Sequence, residues 1–170
     1  MKTLKILLLA LLISSLGIAC KKEKKDQPTQ TGSNTMHAKV NGIPWQKKAC
    51  WSCIGGGSGL SRNFDDRTSF YITGEDPDAN STLSLIIPSL KMTGAYELST
   101  RILNYAQLNN YKTGTQRYYT SATNKGSVTI TKLDINNKII SGTFEFSAED
   151  EENNKNTIRV TDGWFDISYQ

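Results

Sequence analysis

The sequence has few of the residues that metal centres and most hydrolytic sites require. It contains one histidine, His37, and three cysteines in 170 residues. A Ser-His-Asp or Cys-His catalytic site would have to use His37, which falls on the polar side of the first predicted strand. We interpret His37 as a surface residue. We predict no catalytic residues, no metal ligands and no cofactor.

Long apolar runs are also scarce. The uncharged stretch over residues 6–20 is 15 residues long, whereas a membrane-spanning helix needs about 20 predominantly apolar residues. Lys2 and Lys5 flank the start of this stretch, and small residues close it. This arrangement is typical of a secretory signal peptide, which we place at residues 1–19.

An excess of positive charge is absent from most of the chain. The formal net charge is +4, but residues 36–170 hold 14 basic and 14 acidic residues. The excess comes from two lysines of the leader and from residues 21–26, which hold four lysines and two acidic residues. A basic balance that lies outside the predicted domain is no sign of a nucleic-acid-binding face, so we predict no nucleic-acid partner.

A cysteine stands at the end of the signal. Leu16-Gly17-Ile18-Ala19-Cys20 resembles a bacterial lipobox, in which a small residue precedes the cysteine that becomes lipidated, although Gly17 holds the usual leucine position. We predict lipidation of Cys20, palmitate included, and anchoring in the outer membrane, on either the periplasmic or the cell-surface face. More than one acyl chain makes such anchoring stable. The alternative is an ordinary cleaved signal with a chance cysteine.

The segment after Cys20 is predicted to be a tether. Residues 21–35 contain no large apolar side chain and cannot offset the entropy of ordering. The predicted organisation is a signal peptide at 1–19, a lipidated cysteine with a disordered tether at 20–35, and a β domain at 36–170.

Alternating apolar residues predict strands in that domain. Met36, Ala38 and Val40 alternate with polar residues, and no window of 12 residues shows a helical period with caps. Roughly nine short strands favour an all-β fold with a single antiparallel β-sandwich or barrel-like domain. Residues 101–116 are ambiguous, since Ile102-Leu103 and Ala106–Leu108 could form a helical turn.

The C-terminal half has the clearest pattern. Its apolar positions of one parity predict a buried face made by Ile140, Phe144, Phe146 and Ala148. Asp162-Gly163 then changes the phase of the alternation, which indicates either a tight turn or a glycine bulge.

Three motifs resemble those of a known group of proteins. They are Asn41-Gly42-Ile43-Pro44-Trp45, the block from Ile140 to Phe146 with its Ser-Gly-Thr-Phe-Glu-Phe sequence, and the block over residues 160–167 with Gly-Trp-Phe-Asp-Ile. Together with the lysine-rich start, they resemble a family of small Bacteroidota lipoproteins of unknown function; residues 50–125 have no match. The resemblance implies an all-β envelope domain with no established activity, so no functional residue is carried over.

Cys50-Trp51-Ser52-Cys53 is the most conspicuous short motif. A redox Cys-x-x-Cys opens a helix in a βαβ unit, and this sequence has no such pattern. A zinc site needs two further ligands. We predict a disulfide between Cys50 and Cys53 in an oxidising compartment, with free thiols, a metal site and redox catalysis as alternatives.

Five aromatic residues lie outside the strongest core parities and could contact a ligand: Trp51, Tyr105, Tyr111, Tyr118 and Tyr119. Aromatic rings on a β surface can stack on sugars, and tyrosine is enriched at interfaces. We therefore predict a non-enzymatic binding module for a protein or a glycan, with the membrane as a further partner through the lipid anchor. The alternatives are a small envelope hydrolase and an inhibitor or immunity lipoprotein.

Overall fold

The computed structural model describes residues 27–51, 56–65 and 69–169, and these contain eleven β-strands and no helix. In chain order the strands are β1 (Thr35–Val40), β2 (Ile43–Gln46), β3 (Leu60–Asp65), β4 (Ser69–Asp76), β5 (Ser81–Ile87), β6 (Gly94–Leu98), β7 (Tyr105–Asn110), β8 (Gln116–Tyr119), β9 (Gly126–Asp134), β10 (Ile139–Asp150) and β11 (Thr157–Ser168). The prediction of an all-β antiparallel domain is confirmed. In the part of the chain described here, no helix is long and apolar enough to cross a membrane.

The strands form one antiparallel sheet that curls into a half-barrel. Its main path runs β2-β1-β11-β10-β8-β7-β5-β4-β3, and β9 branches from β10 and pairs with β6. The branch exists because β10 is 12 residues long. Most of one edge of β10 pairs with β9, whereas Glu149 and Asp150 at its end pair with β8.

A tight hairpin joins β1 and β2. Asn41 and Gly42 have φ angles of 49° and 81°, which are the two positive values that a type I′ turn requires. The turn directs Trp45 into the core, where its indole nitrogen donates a hydrogen bond of 2.9 Å to the Ser81 hydroxyl. Gly74 of β4 leaves room for this ring, since a Cβ there would lie 2.9 Å from it. Trp45 thus draws the two ends of the curled sheet together.

The buried face of β10 is the one that the alternation predicts. Ile140, Phe144, Phe146 and Ala148 are all buried. In β11 the register shifts around Asp162, whose φ is 51°. The bulge changes the inward parity of β11, and of the two alternatives for Asp162-Gly163 the bulge is therefore the one observed.

The ambiguous region over residues 101–116 contains strands. Ala106 and Leu108 of β7 are buried and alternate with Gln107. β7 pairs with β5 on one edge and with β8 on the other. The interpretation of residues 106–108 as a helical turn is therefore wrong, because two neighbouring strands satisfy the backbone of this segment.

The folded unit begins upstream of residue 36, the boundary that composition predicts. β1 starts at Thr35, and the Asn34 side-chain oxygen accepts a hydrogen bond of 3.0 Å from the Ser168 backbone nitrogen. Residues 29–33 bind the carboxylate of Asp166. Polar contacts hold this segment, which is why a composition without large apolar residues gives no sign of them. The earlier part of the predicted tether lies outside the described residues.

Candidate ligand-binding groove

Five cross-strand partners form a row on the outer face of the sheet. From β2 to β9 the row, which we call the stack row, consists of Gln46, His37, Trp164, Thr143 and Thr129. Four intervals of about 4.8 Å between strands make the row about 19 Å long. Because side chains alternate along a strand, the buried neighbours of these residues place the row on the solvent side.

The centre of the row is a stacked aromatic pair. The rings of His37 and Trp164 lie parallel, with an interplanar angle of 16° and 4.4 Å between centroids. Sequence reasoning missed this pair. It assigned His37 to the surface and used Trp164 only as part of a family motif, because the register that brings β1 beside β11 cannot be inferred from either segment alone.

Three polar side chains of the stack row and the indole nitrogen of Trp164 are available to a ligand. Within the described part of the chain, the side chains of Gln46, Thr143 and Thr129 make no hydrogen bond, and neither does the Trp164 indole nitrogen. An aromatic platform is therefore flanked by donors and acceptors that water satisfies in the absence of a ligand.

A second row borders the first and carries charge. On β1 and β11, Lys39 and Asp162 form an ion pair of 3.2 Å. On β10 and β9, Glu145 pairs in register with Ser127. An open groove of about 1190 Å³ runs over both rows, so one elongated molecule could touch the aromatic pair and the charged row together.

A buried aspartate, Asp76, lines the groove close to β2. Its carboxylate accepts hydrogen bonds from the backbone nitrogens of Gln46 and Asp78, each at 3.1 Å, and lies 3.6 Å from the Lys48 ammonium group. A hydrogen bond to Asp78, together with the charge of Asp76, raises the pKa of Lys48 above its usual value. These contacts stabilise the turn after β4 and occupy Asp76.

A second buried aspartate, Asp166, follows Trp164 on the same outer face and is covered by residues 29–33, which we call the strap. Its partners are Thr29 Oγ1 at 2.5 Å, Thr31 N at 3.0 Å, Gly32 N at 2.9 Å, Ser33 Oγ at 3.0 Å and Ser141 Oγ at 2.8 Å. Burial by itself would raise the pKa of Asp166, but the hydrogen bonds hold it well below its usual range. Gln27, just before the strap, lines the groove.

The aromatic residues predicted to bind a ligand do not line this groove. Tyr105, Tyr111 and Tyr119 lie on another outer face, made by β4, β5, β7 and β8, which we call the tyrosine face. The rings of Tyr105 and Tyr119 are 6.5 Å apart. Trp51 is 78% exposed and lies apart from both faces, next to the bridge between Cys50 and Gly57.

Tyr118 belongs to the core. It is buried, and burial together with the charge of Asp150 raises the pKa of its phenol. Its assignment as a ligand-contacting aromatic is contradicted by this position, since in the four-residue strand β8 the neighbouring Tyr119 takes the outer face.

The predicted cysteine chemistry falls partly outside the described residues. Cys50 pairs with Gly57 through two backbone hydrogen bonds of 3.0 and 3.1 Å, which brings the ends of the intervening loop together. Cys53 and Cys20 are not among the described residues, so the disulfide and the lipidation stay predictions. In the described part of the chain, no group of three or more His, Cys, Asp or Glu side chains is placed to hold a metal ion.

Fold and groove together define a single antiparallel half-barrel domain with an open polar groove on its outer face. Residues 57–167 match the model of a family described as a domain of unknown function (DUF6252), and the chain belongs to this family. The match includes the middle of the chain and begins after β1 and β2. No curated protein and no solved structure matches the chain.

Proposed function

We propose that this protein is a lipid-anchored envelope protein that binds a glycan in the groove without catalysing a reaction. The observation that carries the proposal is the stacked pair of His37 and Trp164, flanked by hydrogen-bonding side chains without partners in the described part of the chain. Cys20 would carry the anchor in the outer membrane, as its position at the end of a signal peptide suggests.

The chemistry of the stack row suits a sugar better than an apolar ligand. A sugar ring has an apolar face that packs on an aromatic ring and a rim of hydroxyl groups that need partners. Trp164 supplies the platform, while Gln46 and Thr143 lie on either side of the aromatic pair with donors and acceptors. A ligand without polar groups would leave these side chains desolvated and unpaired, which costs binding free energy.

The aspartates around the groove are engaged, which favours binding over a hydrolysis that needs a pair of free carboxylates. Asp162 pairs with Lys39, and Asp76 is bound by backbone nitrogens and Lys48. Asp166 is covered by the strap. Each of these groups stabilises the walls of the groove, and each would have to leave its partners before acting on a substrate.

Binding is tested with the chain from residue 21 onward and with hexasaccharides of β-linked glucose, N-acetylglucosamine and mannose, by calorimetry. We expect at least one of them to bind. Trp164→Ala should weaken that binding by about tenfold or more, the equivalent of about 1.4 kcal/mol. Trp51→Ala removes an exposed tryptophan outside the groove and should leave the affinity unchanged.

A smaller substitution tests binding in case Trp164→Ala does not fold. Thr143→Val keeps the shape and strand preference of the side chain and removes only its hydroxyl group, so we expect the thermal midpoint to hold and the affinity to fall about threefold. The proposal fails if neither these hexasaccharides nor glucosamine hexamer binds, or if both groove variants bind as tightly as the unmodified chain.

The anchor is tested separately in cells. Replacing Cys20 by serine should abolish incorporation of labelled palmitate and move the protein out of the membrane fraction. Retention of the variant in that fraction would contradict the anchor without affecting the glycan site. Protease treatment of intact cells would then distinguish the cell-surface face from the periplasmic face.

A further inference from the structure

The charges around the groove are not balanced. Lys39 pairs with Asp162 at 3.2 Å, and Lys48 pairs with Asp78 at 2.6 Å. The remaining carboxylate of the charged row, Glu145, is exposed and has no ion-pair partner among the described residues. The lysines near the groove are therefore neutralised by the protein itself, whereas one carboxylate is left for a ligand.

Glu145 is close to the aromatic pair. It follows Thr143 by two positions on β10, on the same face, so the two side chains start about 7 Å apart. Thr143 is the direct cross-strand neighbour of Trp164. A sugar ring seated on Trp164 would therefore place its own substituents, or those of the next sugar, within reach of the Glu145 carboxylate.

We infer that the groove selects glycans that carry free amino groups over their N-acetylated forms and over uronic-acid glycans. This inference rests on the proposed glycan site. The ammonium group of an amino sugar would pair with Glu145, and N-acetylation removes that charge. The carboxylates of a uronic-acid chain would face Glu145 while the nearby lysines stay engaged with aspartates.

The test compares three hexamers on the chain from residue 21 onward: glucosamine, N-acetylglucosamine and galacturonic acid. The comparison is made at about pH 5.5, which lies above the ordinary pKa of a glutamate side chain, about 4.3, and keeps the amino groups protonated. We expect glucosamine hexamer to bind about three- to fivefold more tightly than its acetylated form at about 20 mM salt, and the galacturonate hexamer to bind weakest. The preference should shrink at about 300 mM salt because ions screen exposed charges.

Glu145→Gln should reduce the preference to less than about twofold, because it removes the charge that pairs with the amino group. The matched control is Glu152→Gln in the loop between β10 and β11, which removes a carboxylate away from the groove and should preserve the preference. Equal binding of the two glucosamine forms by the unmodified chain overturns the inference, as does a preference that survives Glu145→Gln.

The two levels of the proposal fail in different ways. If Trp164→Ala removes binding of both glucosamine forms and Glu145→Gln changes neither, the glycan site stands and its charge selectivity is wrong. If neither glucosamine form nor any neutral hexasaccharide binds, the glycan site itself is wrong and the selectivity falls with it.

Discussion

The groove and the tyrosine face lie on the solvent side of the same sheet, yet their polar side chains differ in one respect. On the tyrosine face these groups bind one another: the Thr73 and Ser84 hydroxyls are 2.8 Å apart, and the Gln107 amide nitrogen donates to the Asn109 side-chain oxygen at 2.7 Å. In the groove, the side chains of Thr143, Thr129 and Gln46 have no such partners among the described residues.

This difference shows that exposed rings are a weak sign of a binding site. The rings of the tyrosine face are fixed among self-paired groups, and Arg101 lies over Tyr119 at 4.2 Å while also pairing with Glu151. A ligand there would have to break existing contacts. A ligand that contacts Gln46, Thr143 and Thr129 would break no hydrogen bond among the described residues, which is the more favourable exchange.

The strap covers the groove side of the sheet and is held there by Asp166. Asp166→Ala should therefore have the largest effect on stability. We expect the free energy of unfolding to fall by about 3 kcal/mol, because the backbone nitrogens of Thr31 and Gly32 and the Ser141 hydroxyl lose a buried acceptor. Urea unfolding measures the loss. Asp78→Ala, at a carboxylate that is 78% exposed, should cost no more than about 1 kcal/mol. Equal losses would contradict the role of the strap.

Gly163→Ala, beside the groove, should have the second-largest effect on stability. A Cβ at Gly163 would lie 2.5 Å from the Phe144 ring and 2.6 Å from the Phe144 carbonyl oxygen, and the backbone atom cannot move aside. We expect a loss of about 2 kcal/mol in urea unfolding and weaker glycan binding at the adjacent Trp164. Gly57→Ala meets nothing within 4 Å and serves as the control; a similar loss there would remove the steric explanation.

Acid should reveal the part of this stability that depends on the ionised Asp166. Its pKa is lowered in the folded state, so the unfolded chain binds the proton first. The contribution is present above the ordinary carboxyl pKa of about 3.9 and is lost as the pH falls from there toward the lowered value. Thermal midpoints measured from about pH 7 to about pH 2 should drop less for Asp166→Asn over this acid range than for the unmodified chain. Parallel curves would contradict the assignment.

The smallest effect is expected on the tyrosine face. Tyr119→Leu removes the ring beneath Arg101 and should cost about 0.5–1 kcal/mol of stability with no change in glycan affinity. Calorimetry and urea unfolding on the same samples measure both quantities. A loss of glycan affinity as large as that of Trp164→Ala would reverse the comparison and make the tyrosine face the binding face.

The sequence predicts the fold better than the site. The fold follows from alternation within short segments, whereas the site depends on residues that are far apart in the chain. The alternation around Phe144 and Phe146 is local, and it correctly marks the buried face of β10. The pairing of His37 with Trp164 depends on β1 lying beside β11, which joins the two ends of the domain. The alternation of residues within either strand does not show which strand it pairs with or in which register.

Two further misses have local causes. Tyr118 and Tyr119 are adjacent in a four-residue strand, too short for a parity to be assigned, so the buried one could not be told from the exposed one. The strap contains no large apolar residue, and its order comes from a single carboxylate that is distant in sequence. Composition therefore predicts a tether where hydrogen bonds make a fixed segment.

The strap also changes how far the domain could travel from a membrane. A tether that ran free from Cys20 to residue 35 would reach about 50 Å, whereas one fixed at Thr29 reaches about 30 Å at most. Because Gln27 lines the groove, the tether would leave the domain on the side where the ligand is proposed to bind. If the protein is anchored at Cys20, its proposed glycan site would therefore stay within a short distance of the lipid headgroups.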